Sequence, residues 1–444
     1  MVVSILKQNK TEYMKSVLAT ILLTFSICSI YSQSPKISKE ALHNDLDVLV
    51  STLDRLHPNM YFDIGKEGFE KKLEETKEHL TEEMDVFDYY KIINPLVTDL
   101  NDGHTALRFP VTAYREIESQ LFPVSVKVSD QDLSVTVKSD YSVAGESIPK
   151  NAEITSINGI PTQEILREML RYISGERVFY KQSRLSEYFA PLLYVLYRSD
   201  AYTINYTFKG TSESVKLEGL SYDEFYKRRN GNNDSAAKGP YSLELIDSVA
   251  IMDFRSFTDL KSFKEFLRTT FTTIKDQQIS NLIIDLRENG GGSSSLGIEL
   301  FQYLSDKPFH QFEKAIIKSN DKLKEKEVKK LIKPRKNSLR FTGNIYVLQS
   351  NYTFSSASTF TWALKHFGIG EIIGEEAGGM SITHGVFQTE TLPNSGLGIS
   401  VSTRKFTLVG ASENDIHGTL PDYKVSAQVA MDVAFDLIRK ESQN

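Results

Sequence analysis

Cysteine is almost absent from this sequence: Cys28 is the only one in 444 residues. It lies in an N-terminal apolar run that, as argued below, is expected to be removed, so the mature chain would have no thiol. That excludes disulfide bonds, thiol catalysis and cysteine-ligated metals from the mature protein. The fold must therefore be stabilised by its core, and 40% hydrophobic residues are enough for a substantial one.

Positive charge is not in excess. Asp and Glu total 58 against 52 Lys and Arg, which gives a net charge of −6. Nucleic-acid binding normally needs a strongly basic face, so no nucleic acid is expected as a partner. The one basic run, KEKEVKKLIKPRK at Lys324–Lys336, is interleaved with glutamates and predicts a solvated helix and turn.

Apolar runs long enough to cross a membrane are missing too. The run VLATILLTFSICSI at Val17–Ile30 is shorter than the roughly 20 residues that a spanning helix needs. It follows three lysines and precedes YSQS, the order of a secretory signal peptide. We expect residues 1–32 to be a signal peptide cleaved near Ser32, with Met14 as an alternative start and no lipid on Cys28. The mature protein is thus expected to be periplasmic or secreted, without stable membrane insertion.

Hydrophobic periodicity divides the rest of the chain. Apolar residues recur every three or four positions in residues 33–110, which predicts an N-terminal helical domain of three helices. Residues 111–222 alternate as strands do, around a helical insertion, and predict a small mixed domain. Residues 223–240 lack periodicity and are rich in Gly and Asn, so we predict a linker. Residues 241–444 alternate strand-like and helix-like runs, which predicts an α/β domain within a multi-domain α+β chain.

Two predicted loops are placed where chemistry could occur, because ligands of open α/β sheets bind at the carboxyl ends of strands. The loop RENGGGSSS at 287–295 has consecutive glycines whose N–H groups could approach an anion closely. The loop NYTFSSAS at 351–358 precedes a predicted helix, whose dipole would favour a nucleophilic serine in its first turn. Local sequence alone favours a plain turn for the glycines and helix capping for any one serine.

Histidine is the natural base for a serine nucleophile. His104 follows Asn-Asp-Gly in a loop between a predicted helix and strand, where functional residues are often held, although a lone histidine is more often structural than catalytic. His57, before a proline, and His366, near a predicted helix C-terminus, fit structural roles. No spacing of histidines and acids predicts a metal site, and no cofactor is expected.

Several separated motifs, in the same order, resemble the tail-specific or C-terminal processing peptidases, a family of serine proteases. DLRENGGG at 285–292 is similar to the family's D-L-R-x-N-x-G-G, and SSAST at 355–359 is similar to its nucleophile region. GTLPDYKV at 418–425 resembles the closing G-x-x-P-D segment, and INGIP at 157–161 resembles part of the family's PDZ module. The resemblance implies a PDZ-like domain followed by a ClpP/crotonase-like catalytic domain.

The resemblance also implies site residues. It places the nucleophile on Ser356, with Ser358 as the second choice, and the oxyanion hole on the N–H groups of Gly291 and Ala357. Ser350 and Ser355 would be structural.

Many members use a Ser-Lys pair, but Met380 stands where the lysine is expected, and a thioether cannot act as a base. Lys365 is the remaining lysine alternative. The DGHT segment resembles the tricorn-core branch, in which a histidine is the base. This implies His104 as general base, oriented by Asp415 or, with a small register shift, by Glu413.

The function expected from these motifs is an exported serine endopeptidase that cleaves protein or peptide substrates through an acyl-enzyme, with substrate C-termini recognised by the PDZ-like domain. The alternative is a non-catalytic relative that binds peptide C-termini or a hydrophobic ligand, as the retinoid-binding repeats of this fold do. The tyrosine-rich stretch Tyr188–Tyr197 could line such a cleft.

Overall fold

A computed structural model describes residues 35–441 except 119, 130–131, 143–146, 232–238, 320–321, 329 and 413–414. The predicted signal peptide, Cys28 and Glu413 lie outside the described residues. The α-helices are α1 Lys39–Leu56, α2 Lys66–His79, α3 Val86–Thr98, α4 Val111–Glu116, α5 Thr162–Met169, α6 Val178–Tyr197, α7 Tyr222–Gly231, α8 Leu260–Asp276, α9 Ser295–Leu304, α10 Ser356–His366 and α11 Ala430–Glu441. Across the described ranges, no helix is both long enough and apolar enough to cross a bilayer.

The strands form three sheets. They are β1 Ala106–Leu107, β2 Val124–Val128, β3 Val135–Asp140, β4 Glu153–Ile157, β5 Ile160–Pro161, β6 Ala201–Phe208, β7 Thr211–Glu218, β8 Tyr241–Ile246, β9 Val249–Phe254, β10 Asn281–Asp285, β11 Phe312–Ser319, β12 Lys322–Glu327, β13 Asn344–Gln349, β14 Glu371–Gly374, β15 Ile382–Thr391, β16 Gly398–Leu408 and β17 Tyr423–Lys424.

The three predicted N-terminal helices are confirmed as α1, α2 and α3. Helix α1 begins after Ser38, whose hydroxyl accepts a hydrogen bond from the N–H of Ala41. Its buried leucines recur at spacings of three and four residues, and they are Leu42, Leu46, Leu49, Leu53 and Leu56. The side chain of Asp85 caps α3 in the same way. Periodicity and capping therefore act together, which is why this region could be predicted.

The middle sheet has the strand order β2-β3-β4-β6-β7, and β5 pairs with β4. The predicted strand, Asn158-Gly159 turn and helix are found as β4, the turn and α5; both turn residues have positive φ, 49° and 80°. Helix α6 packs against β2. The region is the mixed unit that the sequence predicted, while its assignment as a PDZ module stays a prediction.

The predicted alternation of strands and helices after residue 241 is confirmed. The sheet order is β17-β14-β13-β10-β9-β8, and all neighbouring pairs except β8 with β9 are parallel. Strands β10 and β13 are adjacent, with Asp285 opposite Leu348 near their carboxyl ends. The glycine loop and the serine loop leave the sheet there, so the topology brings the two loops together.

The third sheet, β1-β16-β11-β12 with β15 beside β16, was not predicted from the sequence. Its strand β1 comes from the N-terminal region, and Ala106 pairs with Ser400 of β16. Buried leucines of α1 share one hydrophobic core with Leu392, Leu397, Ile399 and Val401. The helical region and the C-terminal region are thus joined by a strand and by a common core.

Two predictions of local structure are wrong. The first half of the predicted linker is helix α7, of which only Phe225 is buried. The first part of the basic run Lys324–Lys336 belongs to strand β12 instead of a helix. All six residues of β12 are exposed, so its sequence carries no alternation of apolar and polar residues; backbone pairing with β11 sets its conformation.

Candidate functional site

The site is built around a contact between His104 and Ser355. The Nε2 atom of His104 lies 2.9 Å from Oγ of Ser355, although 251 positions separate them in the sequence. His104 lies in the loop between α3 and β1, and Ser355 directly precedes α10. The fold therefore brings a histidine from the N-terminal region to the serine loop of the α/β sheet.

Ser355 has an unusual backbone conformation. Its φ of 53° and ψ of −126° lie in a region that residues with a Cβ atom rarely occupy. Such strain clusters at functional sites, and a sharp turn from strand to helix is the geometry of a nucleophile elbow. Here the turn follows β13 and presents the Ser355 hydroxyl at the N-terminus of α10, where the helix dipole favours developing negative charge.

The prediction that Ser356 faces the base is wrong. Its hydroxyl donates a hydrogen bond to the carbonyl of Gly292 at 2.6 Å, and the residue is only 8% exposed. The Ser358 hydroxyl donates to the carbonyl of Ser355, and the Ser350 hydroxyl donates to the carbonyl of Arg287. These three serines stabilise the loop. The serine beside His104 is Ser355, one position before the residue that the motif implied.

Both predicted oxyanion donors are already occupied by hydrogen bonds within the loops. The N–H of Gly291 donates to Oδ1 of Asn289 at 2.8 Å, and the N–H of Ala357 donates to the carbonyl of Phe354 at 3.0 Å. The N–H of Ser356, directly after Ser355, has no acceptor within the part of the chain that the structure describes. Since it directly follows Ser355, it is a candidate donor to an oxyanion.

Gly291 still has a defined role, because it lets the two loops approach. Its φ is 102°, and a Cβ added there would lie 2.6 Å from Cβ of Ser355 and 2.8 Å from the carbonyl oxygen of Phe354. Only glycine fits so close to Ser355 in this conformation. The sequence was therefore right that the glycine loop adjoins the serine loop.

The His104 ring is held between packed aromatic residues and polar contacts. It stacks on Phe354 with ring centroids 4.8 Å apart, and Phe354 stacks on Tyr180 at 4.1 Å. The His104 side chain is 11% exposed. Its backbone N–H donates to Oδ1 of Asp102 at 2.9 Å, which fixes the loop. The ring is thus largely shielded from water but reaches Ser355.

Two carboxylates lie close to the His104 ring. Nδ1 lies 3.7 Å from Oδ1 of Asp102. Carboxylate oxygens of Asp102 and Glu176 and a ring nitrogen of His104 all lie within 4.8 Å of one another. Among the described residues, neither His104 Nδ1 nor Glu176 Oε2 has a hydrogen-bond partner, and both atoms are buried. Such buried polar atoms require a partner, and the two could satisfy each other after a small movement or through one water.

The two acids differ in their ionisation. Burial, together with the negative charge of Asp102, raises the pKa of Glu176 to about 7. Although burial opposes ionisation of Asp102, hydrogen bonds from His104 and His57 hold its pKa well below the usual value. Asp102 is therefore a fixed anion, whereas Glu176 changes charge near neutral pH.

The structure does not bring Asp415 to the base. Oδ1 of Asp415 accepts a hydrogen bond from the N–H of His417 at 3.1 Å, and the acids beside His104 are Asp102 and Glu176. The other predicted acid, Glu413, lies outside the described residues. Asp102 could have been found, since it lies two positions before His104. Glu176 had no sequence signal, because it approaches the ring only through the packing of α6.

The lysine alternative finds no support in the geometry. Nζ of Lys365 donates to the carbonyl of Leu420 at 2.6 Å and to Oδ1 of Asp422 at 2.8 Å. It therefore serves an ion pair at the far end of α10, and the nitrogen that reaches Ser355 is that of His104. Met380, at the position where many family members have the lysine, pairs through its backbone with Gly418 in an isolated antiparallel β-bridge.

A second buried cluster, His57, Asp102 and His384, lies behind the base, and its ligand atoms are within 4.8 Å of one another. Nδ1 of His57 accepts a hydrogen bond from the backbone N–H of Asn59, so the ring proton is on Nε2. The N–H at Nε2 then donates a hydrogen bond to Asp102 at 3.2 Å. Burial lowers the pKa of His384 to about 4, so its ring is neutral at neutral pH. A metal bound to Nε2 of His57 would have to displace the proton that forms the hydrogen bond to Asp102. The cluster is thus better suited to hydrogen bonding than to binding a metal.

Comparisons with known proteins bear on the family and the fold. Residues 248–425 match the family model described as Peptidase family S41. A solved structure of mature CPAF complexed with lactacystin is 15% identical, with a TM-score of 0.69 over 90% of this chain and 97% of that one. Mature CPAF alone is 14% identical, with a TM-score of 0.67 over 90% and 95%. The photosystem II D1 C-terminal processing protease is 15% identical, with a TM-score of 0.47 over 88% and 94%. At such identities the likeness to CPAF shows a shared fold.

The raised pKa of Glu176 predicts how stability depends on pH. A carboxyl whose pKa rises from 4.5 to about 7 on folding contributes stability that is fully present below pH 4.5 and is lost as the pH rises through 7. Glu176→Gln removes this dependence. Relative to the parent, the variant should therefore gain up to about 3 kcal/mol in unfolding free energy between pH 4.5 and pH 8. Urea unfolding at both pH values measures the gain.

Glu168→Gln is the control, because Glu168 forms an exposed pair with Arg171 and should show no such gain. Equal pH dependence of stability in Glu176→Gln and the parent would contradict the perturbed carboxyl.

Proposed function

We propose that this chain, whose residues 248–425 match peptidase family S41, is a serine endopeptidase with Ser355 as nucleophile and His104 as general base. The observation that carries the proposal is the 2.9 Å contact between Nε2 of His104 and the hydroxyl of Ser355. That distance lies within the range over which a base can take a proton directly. The strained backbone at Ser355 supports the same residue.

The mechanism follows from these positions. Oγ of Ser355 attacks the carbonyl carbon of a peptide bond while His104 accepts the hydroxyl proton. The N–H of Ser356 stabilises the negative oxygen of the tetrahedral intermediate. The imidazolium then donates its proton to the leaving amine, and the C–N bond breaks to give an acyl-enzyme. Water attacks the ester, His104 takes its proton and returns it to Ser355, and the carboxylic acid product leaves.

Glu176 and Asp102 have separate roles in this mechanism. Ionised Glu176 accepts a hydrogen bond from the N–H at Nδ1 of His104, which keeps the ring proton on Nδ1 and leaves Nε2 free to accept the Ser355 proton. When Glu176 is protonated, its hydroxyl donates to Nδ1, the ring proton moves to Nε2, and the base is blocked. Asp102 holds the backbone N–H of His104 and so fixes the position of the ring.

The binding-protein alternative is less well supported by the structure. The tyrosine-rich stretch Tyr188–Tyr197 lies in helix α6. Most of its apolar side chains are buried in the core, so they do not form an open cleft. A protein that only binds a ligand also has no need of a base beside a strained serine.

Export and C-terminal recognition belong to the same proposal. The apolar run at residues 17–30 supports a cleaved signal peptide and therefore a periplasmic or secreted enzyme. The middle sheet, with its INGIP turn, supports a PDZ-like module that binds the C-terminus of a protein or peptide substrate.

The choice of nucleophile can be tested with neighbouring serines. Ser355→Ala should reduce kcat for an unfolded protein substrate by at least about a thousandfold, because it removes the attacking oxygen. Ser356→Ala removes only a hydrogen bond to Gly292 and should retain most of the activity. Kinetics of both purified variants at about pH 8 decide the matter. Loss of activity in Ser356→Ala with activity retained in Ser355→Ala would restore the nucleophile expected from the motif.

The role of Glu176 predicts a pH-rate profile. In the parent, kcat should rise with pH through about 7, as Glu176 loses its proton. Glu176→Gln should lower kcat roughly 10- to 100-fold with little change in KM, and it should alter this limb of the profile. Glu168→Gln is again the control. A profile of Glu176→Gln that matches the parent in height and shape would exclude Glu176 from the mechanism.

The signal peptide predicts the N-terminus of the mature protein. When the full chain is made in a Gram-negative bacterial host, intact-mass measurement of the periplasmic fraction should give a chain that begins near Gln33. Replacing two apolar residues of the run, Leu22→Arg and Leu23→Arg, should leave the full-length precursor in the cytoplasm. An unprocessed parent chain recovered from the cytoplasm would contradict export.

A further inference from the structure

A cavity of about 850 Å³ lies between the middle sheet and the loops of the active site. One wall is the outer side of β2 and β3, which carries Lys127 and Lys138. The opposite wall includes Tyr352, three positions before Ser355 on the same loop. A Cβ at Gly290 would lie 3.6 Å from the Tyr352 ring, and the next residue, Gly291, contacts Ser355. The cavity therefore reaches the neighbourhood of the nucleophile.

The carboxylates that line the cavity all have partners. Glu288 pairs with Arg255. Glu187 pairs with Arg184 at 2.9 Å. The two oxygens of Glu375 accept the backbone N–H groups of Asn351 and Ala427, at 3.1 and 2.9 Å. Arginines thus neutralise Glu288 and Glu187, while two backbone N–H groups hold the Glu375 carboxylate in place.

Four lining cations have no carboxylate partner among the described residues: Lys127, Lys138, Lys150 and Arg229. The three lysines are exposed. Arg229 donates only to the carbonyl of Glu187 and lies over the ring of Tyr226. Among the described lining residues, basic side chains thus outnumber carboxylates and the net charge is positive, in a chain whose net charge is −6. Such a local excess of one sign attracts ligands of the other sign.

We propose that this cavity binds an acidic segment of the substrate, so that the enzyme favours peptides with Asp or Glu close to the cleaved bond. The inference rests on the proposed peptidase function and adds the substrate class. Carboxylate side chains of an extended peptide would pair with the three lysines and Arg229, while its backbone passes Tyr352 toward Ser355. The recognition is of side-chain charge and needs no free C-terminus.

Binding can be measured without catalysis. The Ser355→Ala protein is titrated into a fluorescein-labelled peptide of about ten residues that contains four Glu, and into the same peptide with Gln in place of Glu, and fluorescence anisotropy is recorded. The Glu peptide should bind at least about tenfold more tightly at low salt. The difference should shrink between about 50 mM and about 500 mM NaCl, because salt screens exposed charges.

Charge reversal identifies the binding site. Lys127→Glu combined with Lys138→Glu should remove the preference for the Glu peptide and leave binding of the Gln peptide unchanged. The matched control is Lys209→Glu with Lys216→Glu, which makes the same change of charge at the other edge of the same sheet. Equal binding of the two peptides to the parent would overturn the proposal. So would an equal loss of preference in both double variants, since that would indicate a general effect of net charge.

Cleavage separates this inference from the proposed function. In the active enzyme, the cavity double variant should raise KM for the Glu substrate roughly tenfold while kcat and the kinetics of the Gln substrate stay unchanged. Anisotropy that shows the preference in a protein that cleaves nothing would leave the acidic site standing and reject the peptidase. Cleavage of both substrates with the same KM would support the peptidase and reject the acidic site.

Discussion

The buried carboxylate of Asp102 is the group on which the rest of the site depends. It is 0% exposed, and it accepts hydrogen bonds from the backbone N–H of His104, the hydroxyl of Thr105 and the ring of His57. Thr105 in turn accepts the N–H of Ser402, so the loop is joined to β16. One anion thereby ties the loop that carries the base to two distant parts of the chain. A buried charge is tolerated only when it is fully hydrogen-bonded, and here those bonds also place the base.

A second constraint is the close approach of the glycine and serine loops. Gly291 lies so near Ser355 that a Cβ would collide with it, and Ser355 itself has a strained backbone. Both conformations are unfavourable by themselves and persist because the surrounding parallel sheet holds the strand ends from which the loops emerge. The hydroxyls of Ser350, Ser356 and Ser358 fix the loop from within. The serines that looked like candidates for catalysis are therefore part of what makes the neighbouring serine available.

Helix α6 connects the base with the proposed substrate cavity. Glu176 precedes the helix and faces His104, and Tyr180 continues the stack of Phe354 and His104. Further along the helix, the Ser186 hydroxyl accepts the N–H of Val128 on β2, and Glu187 lines the cavity. The first half of this helix and the residue Glu176 before it thus link the surroundings of His104 with the strand that carries Lys127. In the proposed enzyme, the packing of this helix would influence both substrate recognition and the orientation of the base.

The resemblance of the chain's motifs to a peptidase family indicated His104 as the candidate base. The sequence by itself determined the three N-terminal helices, the alternating strands and helices after residue 241, and the meeting of the glycine and serine loops. These features are local: periodicity, caps, turns and glycines act over a few residues, and the order of parallel strands follows from their spacing. Only the tertiary structure decided which serine faces the base and which acids flank it. Adjacent serines in SSAS have the same composition around them, and a positive φ at Ser355 turns one toward His104 and its neighbour toward Gly292. Glu176 and strands β15 and β16 reach the site through contacts between residues far apart in the chain, which no local pattern records.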